Sequence, residues 1–458
     1  MPDKLNELLK NPKRVLVGIL VVAVLLRVFT GIVFFGNEIQ SLPGTFDEVS
    51  YHNLALRVMD GHGFSFGERW WPGTAANEPT AHWSYLYTVY LIVVYTIFGP
   101  NPLPARILQG IIVGILMPWL LYRLSFRLFA PKARGEAMFV YTPEVARAQQ
   151  IALLAAAIGA VYIYFFYYTG SLITEGFYIT GILWTFDTAV SITQTQTVRT
   201  KQWAVFGLAM GITVLLRQLF LLFLPFLVLW LWWAKRPRLT SFVLPVAIVV
   251  LMIVPWTIRN YIAFDTLVPL NTNSGFAFYW GNHPRYGTKF IPILPSGEYF
   301  DMIPDELEAQ GLNEGEMDSA LLSEAIKIIV ADPGRYALLS LSRIPTYFMF
   351  WPSSDSSTVS NISRVGSFGI FLPFMLYGLF LTLRQSFSSW RERLASPFTL
   401  LYLFMLVYTG IHVLTWTLIR YRIPVDLLLV IFAGYGLLDL YERVQSRRGA
   451  GLPASAKP

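Results

Sequence analysis

Within the stretch GTFDEVSYHNLALRVMDGHGF, Gly44 to Phe64, the adjacent acids Asp47 and Glu48 follow closely on the first long apolar run of the chain. Carboxylates at the rim of a membrane span can take a proton from an incoming hydroxyl or hold a hard metal ion. Adjacent residues of a helix point about 100° apart, so the two acids divide their roles. Thr45-Phe46-Asp47-Glu48 also fits the T-x-x-E capping box, which gives Glu48 a helix-starting task and leaves Asp47 unexplained.

Further ionisable residues fall on or near the same side of the apolar runs: Arg57, Arg69, Glu78, Arg106, Glu175, Arg217, Arg259, Arg420 and Arg422, with all five histidines. Arginine at that side runs against the orientation signal of membrane proteins, and charge near hydrocarbon is costly, so an anionic ligand is the economical explanation. Plainer readings stand beside it. Arg420 and Arg422 could snorkel, Glu175 at a helix start complements the helix dipole, and single histidines in loops are usually just hydrogen-bonded.

The elements that must position these groups are apolar helices. The chain has 458 residues, 55% hydrophobic and 14% charged, against about 25% charged in soluble proteins. Apolar runs of about 20 residues recur throughout and read as spanning helices, since barrel strands would be about half as long and alternating. The net charge of +7 resides largely in short loops between these runs, a positive-inside pattern rather than a nucleic-acid surface. The absence of cysteine excludes disulfides and thiolate metal sites.

If the basic clusters (Lys4/Lys10/Lys13/Arg14, Arg123/Arg127/Lys132/Arg134, Arg199/Lys201, Lys235/Arg236/Arg238, Arg391/Arg393 and Arg443/Arg447/Arg448) are all cytoplasmic, the chain between them crosses an even number of times. The expectation is an all-α polytopic membrane protein of about ten spans, beginning with a retained first span and with both termini inside. Trp83 to Phe98, short and aromatic, is assigned as a juxtamembrane helix. Two long outer loops, 37–82 and 263–364, exceed the usual connection of about 4–6 residues and are read as functional. In the second, Asn313 to Ala331 reads as an amphipathic helix and Tyr336 to Trp351 as a segment on the membrane surface. Residues 1–440 form one membrane-embedded domain and 441–458 a short cytoplasmic tail.

The order of features then becomes informative: Asp-Glu beyond span one, an aromatic helix, FGPNPLPARILQG, SLITEGFYI, PWTIRNYIAFDTLVPLNTNSGFAFYWGN and IRYRIPVDLLLV. This series resembles the GT-C fold membrane glycosyltransferases, in particular bacterial relatives of the protein O-mannosyltransferases and of the lipid A aminoarabinose transferases. The resemblance implies transfer of a sugar, with inversion, from a polyprenyl phosphate to an acceptor on the outer face of a bacterial inner membrane, and it maps the catalytic acid onto Asp47. The chain departs from the family's frequent proline pair, with Asn77-Glu78-Pro79-Thr80-Ala81-His82 in its place, which leaves the acceptor open as protein, lipid or glycan.

Chemistry agrees with one base. An ordinary glycoside needs two carboxyl groups because its alkoxide must be protonated, whereas a lipid phosphate already leaves readily. Arg259 and Arg420, then Arg57 and Arg106, are the candidates for the donor phosphate. Glu48, Glu78, Glu175 and His283 are candidates for the substrate pocket. No cofactor is fixed by the sequence, and a divalent metal held by Asp47 and Glu48 stays open. Two other classes compete: a lipid-linked glycan polymerase or ligase, and a lipid-linked sugar flippase or transporter, the latter expected to show repeat symmetry and polar groups at the midplane.

Overall fold

A computed structural model describes residues 11–39, 46–131, 142–354 and 356–450. Thr45, Lys4, Lys10, Lys132, Arg134 and the end of the tail, for which sequence expectations were stated, lie outside the described residues.

The protein is an all-α integral membrane protein. Among the described residues the only extended pairings are isolated bridges, Ser65 with Pro79 and Trp70 with Thr74. The chain opens with α1 (Pro12–Thr30), continued to Phe35 by a π-turn. Then come α2 (Asp47–Met59), α3 (Tyr85–Phe98) and α4 (Pro102–Phe129). The next helix is expected over Ile151 to Tyr168 but forms as α5 (Pro143–Val161) and α6 (Ile163–Gly170), broken at Tyr162, where the backbone is extended. There follow α7 (Glu175–Gln194), α8 (Thr200–Leu216), α9 (Leu224–Lys235) and α10 (Val243–Phe264). The second long loop holds α11 (Ser274–Asn282), α12 (Glu314–Ala331) and α13 (Pro333–Tyr347). The chain closes with α14 (Ile370–Leu383), α15 (Pro397–Leu414) and α16 (Ile423–Ala450).

Seven helical segments among the described residues are long and apolar enough to cross a membrane, while α3, α8 and α9 are shorter apolar helices. Burial ranks the spans. The segment Ile419–Arg447 has 78% of its apolar window inside the protein, against 22% for Pro12–Phe35 and 17% for Leu239–Phe264, so the last span is central and those two are peripheral. The central helix is approached closely by α14: a Cβ on Gly378 would lie on the Phe432 carbonyl, and one on Gly436 on the Phe374 carbonyl. Small residues at such crossings let backbones meet, the main source of helix association where lipid removes the hydrophobic drive.

The spans also carry buried charge. Arg422 makes a 2.8 Å pair with Asp426, whose other oxygen accepts from the Tyr162 hydroxyl at 2.7 Å. With both side chains fully buried, Arg422 is no snorkelling anchor; it locks the start of α16 to the α5–α6 break. Arg27 of α1, also fully buried, donates to the carbonyls of Ala23 at 3.1 Å and Gly159 at 3.3 Å.

Candidate active site

Asp47 is the first residue of α2, and its carboxylate lies 2.6 Å from the Arg420 guanidinium. Arg420 belongs to the 3₁₀ turn Ile419–Arg422 that precedes α16, so the pair joins the foot of the first long loop to the head of the central span. Behind it Arg420 lies 3.6 Å from Glu175, the first residue of α7. Glu175 is paired in turn at 2.5 Å with Arg217, which ends α8 and also donates at 3.0 Å to Thr174 Oγ1. Two carboxylates and two guanidiniums from four elements thus alternate in one line of near-zero net charge. Their exposure differs: Asp47 is 17% and Arg217 19% exposed, whereas Glu175 is 4% and Arg420 9% exposed. Asp47 is thus the carboxylate of the line that an outside group can reach.

The aromatic surroundings fix the arginines. Tyr421 stacks on His412 at 4.7 Å between ring centres and lies beneath both Arg217 and Arg420, at 5.8 and 5.4 Å. Burial, and after it the Asp47 charge, holds the Tyr51 phenol well above its ordinary range, so Tyr51 keeps its proton; its oxygen accepts from the Ser84 amide at 3.3 Å.

Glu48 faces elsewhere. It is 1% exposed and ion-paired with the equally buried Arg106 from the first turn of α4, and it accepts from the Leu172 amide at 3.2 Å. Arg106 also donates to the carbonyls of Gly36 at 2.6 Å and Glu38 at 2.9 Å, fastening the exit of α1. Asp47 and Glu48 thus pair with arginines of different elements, Arg420 before the last span and Arg106 of α4. No group of three or more His, Asp or Glu side chains among the described residues could hold a metal ion.

The remaining sequence candidates lie apart from the Asp47 line. Arg259 of α10 donates to the carbonyls of Thr80 at 3.0 Å and Phe64 at 3.1 Å and to Tyr85 Oη at 3.2 Å, which ties the first loop to α10. Arg57 donates to Asn77 at 2.7 Å and Ser65 at 3.2 Å, beside a surface pocket of about 390 Å³ lined by Asn53, Asp60, Glu68 and Trp70. Glu78 is exposed in the turn that its amide closes on Ala75. His283 sits in the second loop, where its Nδ1 accepts from the Arg285 amide at 3.2 Å. Burial, then Arg285 and Arg335, push the His283 imidazole down to about 4, in keeping with a ring nitrogen that must stay unprotonated to accept.

Sequence reasoning missed what joins the loops. Glu314, 7% exposed on the first turn of α12, accepts from Thr74 Oγ1 and the Ala81 amide of the first loop and from Thr272 Oγ1 of the second. One turn later, Asp318 accepts from the amides of Gly275 at 2.8 Å and Phe276 at 3.1 Å, capping α11. The only signal in the sequence was the Asn313-x-x-Glu316 capping box, which the structure forms; it marks the start of α12 but not which way Glu314 points.

No protein-family profile matches the chain, and no curated protein matches it. Solved structures do. Two are of the oligosaccharyltransferase of the archaeon Archaeoglobus fulgidus: AglB in complex with an inhibitory peptide and a dolichol-phosphate, and the apo form. Each is 14% identical with a TM-score of 0.56, covering 98% and 97% of this chain and 53% and 52% of the other. The chain thus spans about half the length of the oligosaccharyltransferase that it matches. ArnT from Cupriavidus metallidurans, in the apo state, matches at 14% identity over 95% of this chain and 62% of its own, with a TM-score of 0.49.

Proposed function

We propose that the protein is an inverting glycosyltransferase that moves a sugar from a polyprenyl-phosphate donor to an acceptor at the outer face of a bacterial inner membrane, with Asp47 as the base. The observation that carries this reading is the partly exposed Asp47 held at 2.6 Å by Arg420, at the junction of the first long loop with the central span. Such a position suits a bond between sugar and phosphate that lies at the head-group level of a lipid donor. The dolichol-phosphate bound in the AglB structure, on the same fold, supports a lipid phosphate as the donor's carrier.

The reaction follows from the line of charges. Arg420 holds the carboxylate in place until the donor phosphate competes for its guanidinium, a charge-assisted interaction. Asp47 then accepts the proton of the acceptor hydroxyl while that oxygen bonds to the anomeric carbon from the face opposite the phosphate. The bond from the anomeric carbon to the phosphate oxygen breaks, and its electron pair leaves with the lipid phosphate, whose charge Arg420 meets. Glu175 and Arg217 hold Arg420 from behind, so the guanidinium needs little reorganisation. Of the other arginines, Arg259, Arg57 and Arg106 are engaged by loop carbonyls, loop side chains and Glu48, and serve this reading as supports of the site.

The test is sugar transfer or release from a panel of labelled polyprenyl-phosphate sugars by wild type and Asp47→Asn in lipid nanodiscs. Loss of a general base is expected to slow turnover by about 10²–10⁴. Equal consumption by the two proteins would remove Asp47 from the chemistry and favour a lipid-linked glycan polymerase or ligase relying on arginine and histidine.

A further inference from the structure

Helix α13 turns most of its apolar residues outward. The side facing the protein carries Leu339 together with Ser340, Arg343 and Tyr347, all buried, whereas the side facing away carries Leu338, Leu341 and Ile344, which are 55%, 58% and 39% exposed. A surface helix in water shows the opposite arrangement. The apolar stripe also does not stop at the helix: Phe350 and Trp351, each 43% exposed, continue it towards the exposed Ile362 at the start of the span Thr358–Leu383.

Contacts on the polar side set the level of this stripe. The Tyr336 hydroxyl donates to the Leu414 carbonyl at 3.1 Å and Arg343 to that of Val413 at 2.9 Å, both in the last turn of the spanning helix α15. At its other end α13 grips the turn that holds the site arginine, since Arg422 donates to the carbonyls of Tyr347 at 2.7 Å and Met349 at 3.2 Å. The helix therefore lies across the end of one span and is fastened to the beginning of the next.

We infer that α13 rests its apolar face among the acyl chains of the leaflet on the loop side, and that this lipid contact steadies the Ile419–Arg422 turn and with it Arg420. Bilayer lipid, rather than a second copy of the chain, is the occupant because the stripe is fastened to the ends of two membrane spans and closes in a Phe-Trp pair of the kind found at membrane interfaces. The inference is independent of the reaction proposed above.

The chain contains no cysteine, so a single spin label can be placed without other changes. In nanodiscs of phosphatidylethanolamine and phosphatidylglycerol, a nitroxide at Leu341→Cys should collide with oxygen several-fold more often than with a water-soluble nickel chelate. A label at Ser319→Cys, exposed on α12, should show the reverse. Leu338→Cys serves if Leu341→Cys does not fold. Chelate access at Leu341 equal to that at Ser319, or dipolar broadening between copies, overturns the lipid assignment. For the coupling, Leu338→Ser/Leu341→Ser should raise hydrogen exchange several-fold in peptides covering 418–423, where the Tyr421 amide bonds to the Leu418 carbonyl at 3.0 Å, with α4 unchanged. Unchanged exchange in 418–423 overturns it.

Discussion

Glu48→Ala separates structure from chemistry within the Asp-Glu pair. The substitution strands the Arg106 guanidinium, which is fully buried, and removes the acceptor of the Leu172 amide. Breaking a buried ion pair by removing one partner costs about 3–5 kcal/mol, and an orphaned amide about 1–3 kcal/mol more. Two acceptors remain to Arg106, the Gly36 and Glu38 carbonyls, which places the net loss near the low end of the sum, about 4 kcal/mol. Since tenfold corresponds to about 1.4 kcal/mol, the folded population should shift by more than two powers of ten at the unfolding midpoint. The double variant Glu48→Ala/Arg106→Met removes the stranded charge and should recover at least half of the loss, because buried pairs exchange for apolar residues at little net cost. Isosteric Glu48→Gln should stay folded and keep activity within about tenfold, against the 10²–10⁴ loss expected for Asp47→Asn. Thermal unfolding in nanodiscs and donor turnover on the same samples decide the matter. A stable but inactive Glu48→Gln, or a double variant no more stable than Glu48→Ala, would refute the reasoning.

Other expectations follow from the same contacts. Arg420→Lys keeps a positive charge but loses the planar fork that faces Asp47 and Glu175, and should lower donor turnover at least tenfold while leaving the melting midpoint almost unchanged; unaltered turnover would remove Arg420 from the site. Glu314→Gln should loosen both long loops together, by about 1–3 kcal/mol, read as faster hydrogen exchange at the Ala81 amide and in 272–276 in parallel; exchange rising in one loop alone would contradict the shared anchor. His283 has a folded value depressed to about 4 from 6.5, so its contribution is complete above pH 6.5 and is lost as pH falls towards 4. Protection of the Arg285 amide should decline over that window, and protection constant down to pH 4 would contradict the assigned acceptor.

The fold was legible because spanning helices announce themselves by length and hydropathy, and the order of motifs pointed to one architecture. The break at Tyr162 was not, since IYFFYY is as apolar as the helix before it and nothing local marks the change to extended backbone. Among the candidate site residues, Asp47 was legible from its place beside the first span and the resemblance, and Arg420 as a charge on the wrong side of an orientation rule; the structure places the two in contact. The same rule also drew in Arg259, Arg57 and Arg106, because it detects guanidiniums on one side of the spans without distinguishing those that meet loop groups or a buried acid from one that meets an acid near the surface. Arg217 and Glu175 form a pair across 42 positions, a long-range contact that no single sequence encodes locally.

The Glu314 anchor has a consequence for how such proteins can be recombined. Because a single carboxylate is shared by Thr74 and Ala81 on one loop and Thr272 on the other, the two long loops are one module written in two places along the chain. A chimera that imports the first loop from a relative will meet a carboxylate shaped for a different partner. A chimera should therefore keep its stability only when 313–318 travels with 46–82, since the acceptor of Thr74 and Ala81 then moves with them.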